Sequence, residues 1–260
     1  MQTRTLHPLF SAIVVLALVS LACSSLAPEP TATSTPLPPT ATATFVPTNT
    51  PKPSLTPKPT KTPNLAATQQ AEALNAEAKA YFDKGYLSTA DGDFTEYEDF
   101  SQEWAQKDWY NWWLLDQKAT NFFISAHFKW STVVVTPNVS GCGFVFGVQE
   151  NNDHYAVFLD KSRILFLGND SSRNGAYSYE VGKTKGSGRV KFDNPAEADF
   201  TLIVKDRYAY VLVDGELNAE YTLSKTQAID GKLGLTLLSG ANRDYGTRCE
   251  MTNLHVWVPR

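Results

Sequence analysis

Lysine and arginine nowhere gather into the basic stripe that phosphate neutralisation requires, and a net charge of −4 over 260 residues argues against a nucleic-acid partner. The lysines of KPSLTPKPTKTP, Lys52, Lys58 and Lys61, are spread among prolines and read as a solvated spacer. Histidine is scarce. His7 lies near the start of the chain, and His127, His154 and His255 sit apart on three predicted strands, without the paired spacing of a metal site. His127 and His255 fall on the polar phase of their strands and read as surface or edge residues. A G-x-S-x-G elbow is missing, and the GSG of TKGSGRV is a turn with no helix after it to hold an anion.

One long apolar run is present, LFSAIVVLALVSLA, from Leu9 to Ala22 behind Arg4. It is short for a membrane span and has the make-up of a secretory signal's apolar core. Its end, LVSLAC, resembles a bacterial lipoprotein lipobox, with Ser20 and Leu21 departing from the usual order. That resemblance implies cleavage after residue 22 and lipidation of Cys23, so that the mature protein is exported and held to the membrane by acyl chains. Each buried methylene contributes about 0.8 kcal/mol to such anchoring. With Cys23 lipidated, Cys142 and Cys249 remain in an oxidising compartment. Parity and compartment favour a disulfide between them over two buried thiols. It would close a loop of roughly a hundred residues, worth about 4 to 5 kcal/mol in the chain-entropy model.

Residues 23–63 are rich in Thr and Pro, a composition that builds no core and favours extended polyproline II at about 3.1 Å per residue. They read as a stalk. Residues 64–85, NLAATQQAEALNAEAKAYFDKG, read as a helix capped by Asn64 and stopped at Gly85. Its apolar positions are mostly alanine, so weak packing is expected.

From residue 86 to 260 the chain breaks into short β-branched and aromatic runs separated by Gly, Asn and Asp. In NFFISAHFKW, Phe122, Ile124, Ala126, Phe128 and Trp130 share one face of a strand. GFVFGVQ and HYAVFLD flank the hairpin connector ENND. Roughly ten strands in about 170 residues suit two packed sheets, so the predicted fold is all-β, a two-sheet antiparallel sandwich.

The run FTLIVKDRYAYVLVDGELNAEYTLSKTQAIDGKLGLTLLSG resembles the second half of a laminin-G-like, concanavalin A-like jelly roll, a superfamily that includes 3-keto-disaccharide hydrolase-like domains. The resemblance spans about residues 124–258. It implies a jelly roll, and it implies that the last strand returns beside the early ones, bringing Cys249 near Cys142. Carbohydrate-binding modules, adhesive domains and glycan hydrolases all occur on this fold, so activity does not follow from it. Glycanases of this fold carry an E-x-D-x-x-E strand, which is missing here. Glu150 and Glu250 have no carboxylate at that spacing and read as solvated.

Aromatic residues carry the best binding signal. QKDWYNWWLLDQ sets Trp109, Tyr110, Trp112 and Trp113 among Asp, Asn and Gln, the composition of a sugar-stacking site and also of a core strand. Alternation assigns Trp109 and Trp113 to the core and leaves Tyr110 and Trp112 facing out. A second cluster, NDSSRNGAYSYE, offers Arg173, Asn174 and Tyr177 in a loop, where an ordinary solvated hairpin is the competing reading. No cofactor is expected. Calcium is the one metal with candidate ligands, Asp153, Asp160, Asp170 and Asp206 at strand ends, which turn chemistry explains as well. The expectation is a monomeric, lipid-anchored, non-enzymatic domain that binds carbohydrate or another surface ligand. A glycoside-hydrolase-like enzyme and a structural or protein-interaction domain of the envelope are the alternatives.

Overall fold

In the computed structural model, residues 65–134, 139–173, 177–186 and 193–260 are described. The expectations on the signal, Cys23 and the stalk, and on Asn64 and Asn174, lie outside the described residues. The helix α1 (Leu65–Asp83) is followed by strands β1 (Gly92–Glu96), β2 (Phe100–Trp104), β3 (Trp109–Ala119), β4 (Phe122–Thr132), β5 (Gly141–Val148), β6 (His154–Asp160) and β7 (Arg163–Asn169). Then come β8 (Ser178–Glu180), β9 (Lys185–Gly186), β10 (Ala196–Lys205), β11 (Tyr208–Val213), β12 (Glu216–Thr222), β13 (Gly231–Ser239) and β14 (Thr247–Pro259).

These strands form two antiparallel sheets packed as a sandwich, as the strand pattern predicts, in the jelly-roll form that the resemblance implies. One sheet runs β1-β14-β4-β10-β11-β12, with β2 also on β14. The other runs β3-β13-β5-β6-β7-β8, with β9 also on β7. The inner faces bury Phe122, Phe128 and Phe200 against Phe144 and Phe146, with Phe128 and Phe144 edge to face at 5.2 Å. Phe122, Ile124, Ala126, Phe128 and Trp130 all lie in this core, on the face that alternation assigns them. The hairpin between β11 and β12 turns at Asp214 and Gly215, both at positive φ, the backbone a two-residue hairpin of this hand demands. Asp214 turns its carboxylate to the N–H of Asp199 at 2.9 Å, joining the hairpin to β10.

Cys142 on β5 and Cys249 on β14 are joined in a disulfide, Cα to Cα 5.9 Å, across the core from one sheet to the other. The pair stands 107 residues apart in the chain.

Helix α1 packs more firmly than its composition suggests. Ala78 and Tyr81 are buried on the outer face of the β4 sheet among Phe123, Ile203, Leu212 and Trp257. Small alanines let the helix approach closely, and Tyr81 meets the Phe123 ring edge to face at 5.1 Å. Gly85, at φ 78°, ends the helix: its N–H bonds the Phe82 carbonyl and the Tyr86 N–H bonds that of Tyr81, the two bonds of a Schellman cap. His255 is therefore not a surface residue. It lies under the helix, with Nε2 2.9 Å from Glu77 Oε2 and Nδ1 2.9 Å from the Asn253 carbonyl. His127 is half exposed and pairs with Asp199 at 2.8 Å.

Candidate functional site

Strand β3 is the edge of its sheet, and its alternation divides the aromatic run. Trp113 points inward and meets Phe100 edge to face at 5.2 Å. Tyr110 and Trp112 point to the outer face, beside Phe158, Val145 and Leu238. Trp109 corrects the expectation of a core ring. It is the first residue of the strand, where the inner face has run out of partners, and it is 60% exposed.

On the outer face, β13 and β5 separate β3 from β6, yet Tyr110 Oη lies 2.7 Å from His154 Nε2 and the Trp112 ring is 4.7 Å from the His154 ring. The two rings therefore reach across both intervening strands, packed against the cluster that holds Val145 and Leu238. Gly143 on β5 and Gly234 on β13 stand where neighbouring backbone comes too close for a side chain: a Cβ on Gly143 would fall 2.0 Å from the Val157 carbonyl oxygen, and one on Gly234 2.6 Å from that of Trp113.

His154 is held as one neutral tautomer. Its Nδ1 donates to the Asn152 carbonyl at 2.6 Å, which leaves the Nε2 lone pair to accept from Tyr110 Oη. The Asn169 amide nitrogen reaches both Tyr110 Oη and His154 Nε2. Burial is the main cause that lowers the His154 pKa, and burial likewise raises that of Tyr110. Behind them Gln227 donates to the carbonyls of His154 and Asn169 at 2.9 and 3.0 Å and accepts from Tyr179 Oη at 2.6 Å. The network makes one wall rigid.

Next to this wall an open groove of about 740 Å³ is lined by Trp112, Leu114, Lys118, Lys232 and the hairpin residues Val148 to Asn152. It presents one partly open indole face and a rim of amides and ammonium groups. The hairpin is fixed from two sides. Gln149 donates to the carbonyls of Gly147 and Asp230 at 2.9 and 2.6 Å. Asp153 accepts from the Ser171 N–H at 2.8 Å and from Asn151 at 2.9 Å.

The two predicted aromatic clusters therefore meet in part. Tyr177 donates to the Asn152 carbonyl at 3.2 Å, so it abuts the groove wall that Trp112 faces. Arg173 does not reach the groove: its guanidinium lies 3.7 Å over the Tyr179 ring. Three of the aspartates weighed for calcium have partners in their own turns and loops. Asp160 accepts the Ser140 N–H and the Arg163 guanidinium, each at 2.7 Å, Asp170 accepts from Ser172 at 2.6 Å, and Asp153 is occupied as above. Asp206 sits in a turn at φ 54°. Among the described residues no three metal-binding side chains converge. His154, Asn169, Gln149, Lys118, Lys232 and Gln227 were not legible as site residues, since each looks ordinary within its own segment.

No protein-family model matches the chain, and no curated protein matches it. Among solved structures it is similar to a carbohydrate-binding module, CBM66, from Bacillus subtilis, at 9% identity and TM-score 0.44, over 62% of this chain and 92% of that one. It is also similar to a Bacillus licheniformis β-glucanase, at 15% identity and TM-score 0.38, over 56% of this chain and 69% of that one. A fructosyltransferase from A. japonicus matches at 14% identity and TM-score 0.42, over 67% of this chain but 27% of the enzyme. Likenesses this distant carry no argument about function, which rests on the groove.

Proposed function

We propose that this chain is an exported carbohydrate-binding domain, non-enzymatic, anchored to the membrane by a lipid on Cys23 and raised from it by residues 23–63. The observation that carries the binding reading is the Trp112 ring, braced by His154 and Tyr110 and open to a groove rimmed by Gln149, Asn151 and Asn152. A fixed indole face takes the C–H side of a pyranose, and amides beside it bond the hydroxyls. Among the described lining residues the groove has one carboxylate, Glu150, whereas the usual glycoside hydrolysis works through two. That favours binding over turnover.

The test is titration calorimetry of the full-length protein against a panel of oligosaccharides. Binding to a member of the panel should weaken about tenfold in Trp112→Ala, measured below the variant's own melting transition because loss of this packed ring also lowers Tm. A panel with no binder, or a Trp112→Ala variant that binds as the parent does, overturns the reading. Anchoring has its own test, because Cys23→Ala should release the protein from the membrane fraction.

A further inference from the structure

Lys118 and Lys232 stand directly opposite each other in the β3–β13 pairing, and both line the groove. Directly opposed side chains on antiparallel strands have Cβ atoms about 5 Å apart, and like charges there destabilise the sheet. Little nearby relieves the repulsion. Asp230 lies 3.9 Å from Lys118, beyond hydrogen-bond length, with both side chains about two-thirds exposed, so solvent screens that pair. Lys232 makes no ion pair among the described residues, and Glu150 is exposed on the hairpin across the groove. The register is also irregular here: between Lys118 and Leu114, β3 spends three residues opposite the single Leu233. That bulge brings Lys118 back beside Lys232 on the groove side.

Resting on the carbohydrate reading, we infer that the groove selects an acidic glycan, with the anionic substituent of one sugar, a carboxylate or a sulfate ester, seated between Lys118 and Lys232 while a neighbouring ring stacks on Trp112. An anion there turns a repulsive pair into two charge-assisted contacts. Ammonium groups act as point charges without the planar fork of arginine, so they serve carboxylate and sulfate alike.

The full-length protein is titrated with a uronate-containing oligosaccharide, with the same oligosaccharide after its carboxyls are reduced to alcohols, and with a sulfated oligosaccharide. An acidic form should bind about tenfold or more tightly than the reduced one at low salt, and the advantage should shrink as salt is added. Preference for the sulfated over the uronate probe also supports the inference and identifies sulfate as the source of charge. In the double variant Lys118→Gln, Lys232→Gln, that advantage should vanish while affinity for the reduced oligosaccharide stays, and Tm should hold or rise because the like-charge pair is gone. Equal binding of the acidic and reduced forms overturns the acidic-glycan inference and leaves the carbohydrate reading standing. Binding of none of the three overturns both.

Discussion

His255 and Glu77 meet at 2.9 Å between the last strand and the only helix among the described residues, and the geometry favours a charged ring. Nδ1 faces the Asn253 carbonyl, which only accepts, and Nε2 faces a carboxylate. The site therefore favours the doubly protonated ring. Burial works against that charge, but the hydrogen bond and negative charge of Glu77 outweigh it and leave the His255 pKa raised.

A raised histidine pKa stabilises the fold fully below its unfolded value of about 6.5, and that contribution is lost as pH rises through the folded value. His154, with its pKa lowered by burial, acts in the opposite sense and favours the fold as pH rises. A Glu77→Gln comparison isolates the first effect. The Tm advantage of the parent over Glu77→Gln should be largest near pH 6 and should shrink towards about pH 8. A constant difference across that range would contradict the ionic link.

Gly143 and Gly234 sit where neighbouring strands approach closely, and neither tolerates a Cβ without backbone movement. Gly143→Ala is expected to lower stability by about 1 to 3 kcal/mol, measured as the urea midpoint at constant slope. An unchanged midpoint would mean that β5 and β6 accommodate the methyl group and that their close approach does not depend on this glycine.

Trp130 and Trp257 are buried, whereas Trp109 is 60% exposed. Iodide should quench a part of the indole emission that disappears in Trp109→Phe, at a stability change of about 0.5 kcal/mol or less. Equal quenching in the variant would place Trp109 inside, as strand alternation alone predicts.

Replacing Cys142 and Cys249 with serine should lower stability by about 4 to 5 kcal/mol, the chain-entropy value for a loop of this length. Guanidinium unfolding with and without reductant measures it. A loss under about 1 kcal/mol would show that the reduced, unfolded chain is already compact.

The sandwich was legible because burial on one face of a strand writes itself as alternation, as in Phe122 to Trp130. Trp113 and Trp112 were separable by the same rule. Trp109 was not, since a phase does not tell where a neighbouring layer ends. His154 and Tyr110 were hidden for another reason: 43 residues intervene between them in the sequence, and they touch across two intervening strands, a meeting that no local pattern encodes. Lys118 and Lys232 carry no signal within their own segments, and only the strand register puts them face to face. The tight seat of helix α1 was equally obscure, because alanine gives little amphipathic signal while permitting close approach.

The Cys142–Cys249 bridge changes what one protease cut can accomplish. A nick at any peptide bond between the two cysteines leaves the pieces covalently one molecule, with each sheet still stapled to the other. The strands on either side of the nick remain at high effective concentration and can pair again. A single cleavage in that interval is thus survivable damage, and release of a fragment requires a second cut or a reductant.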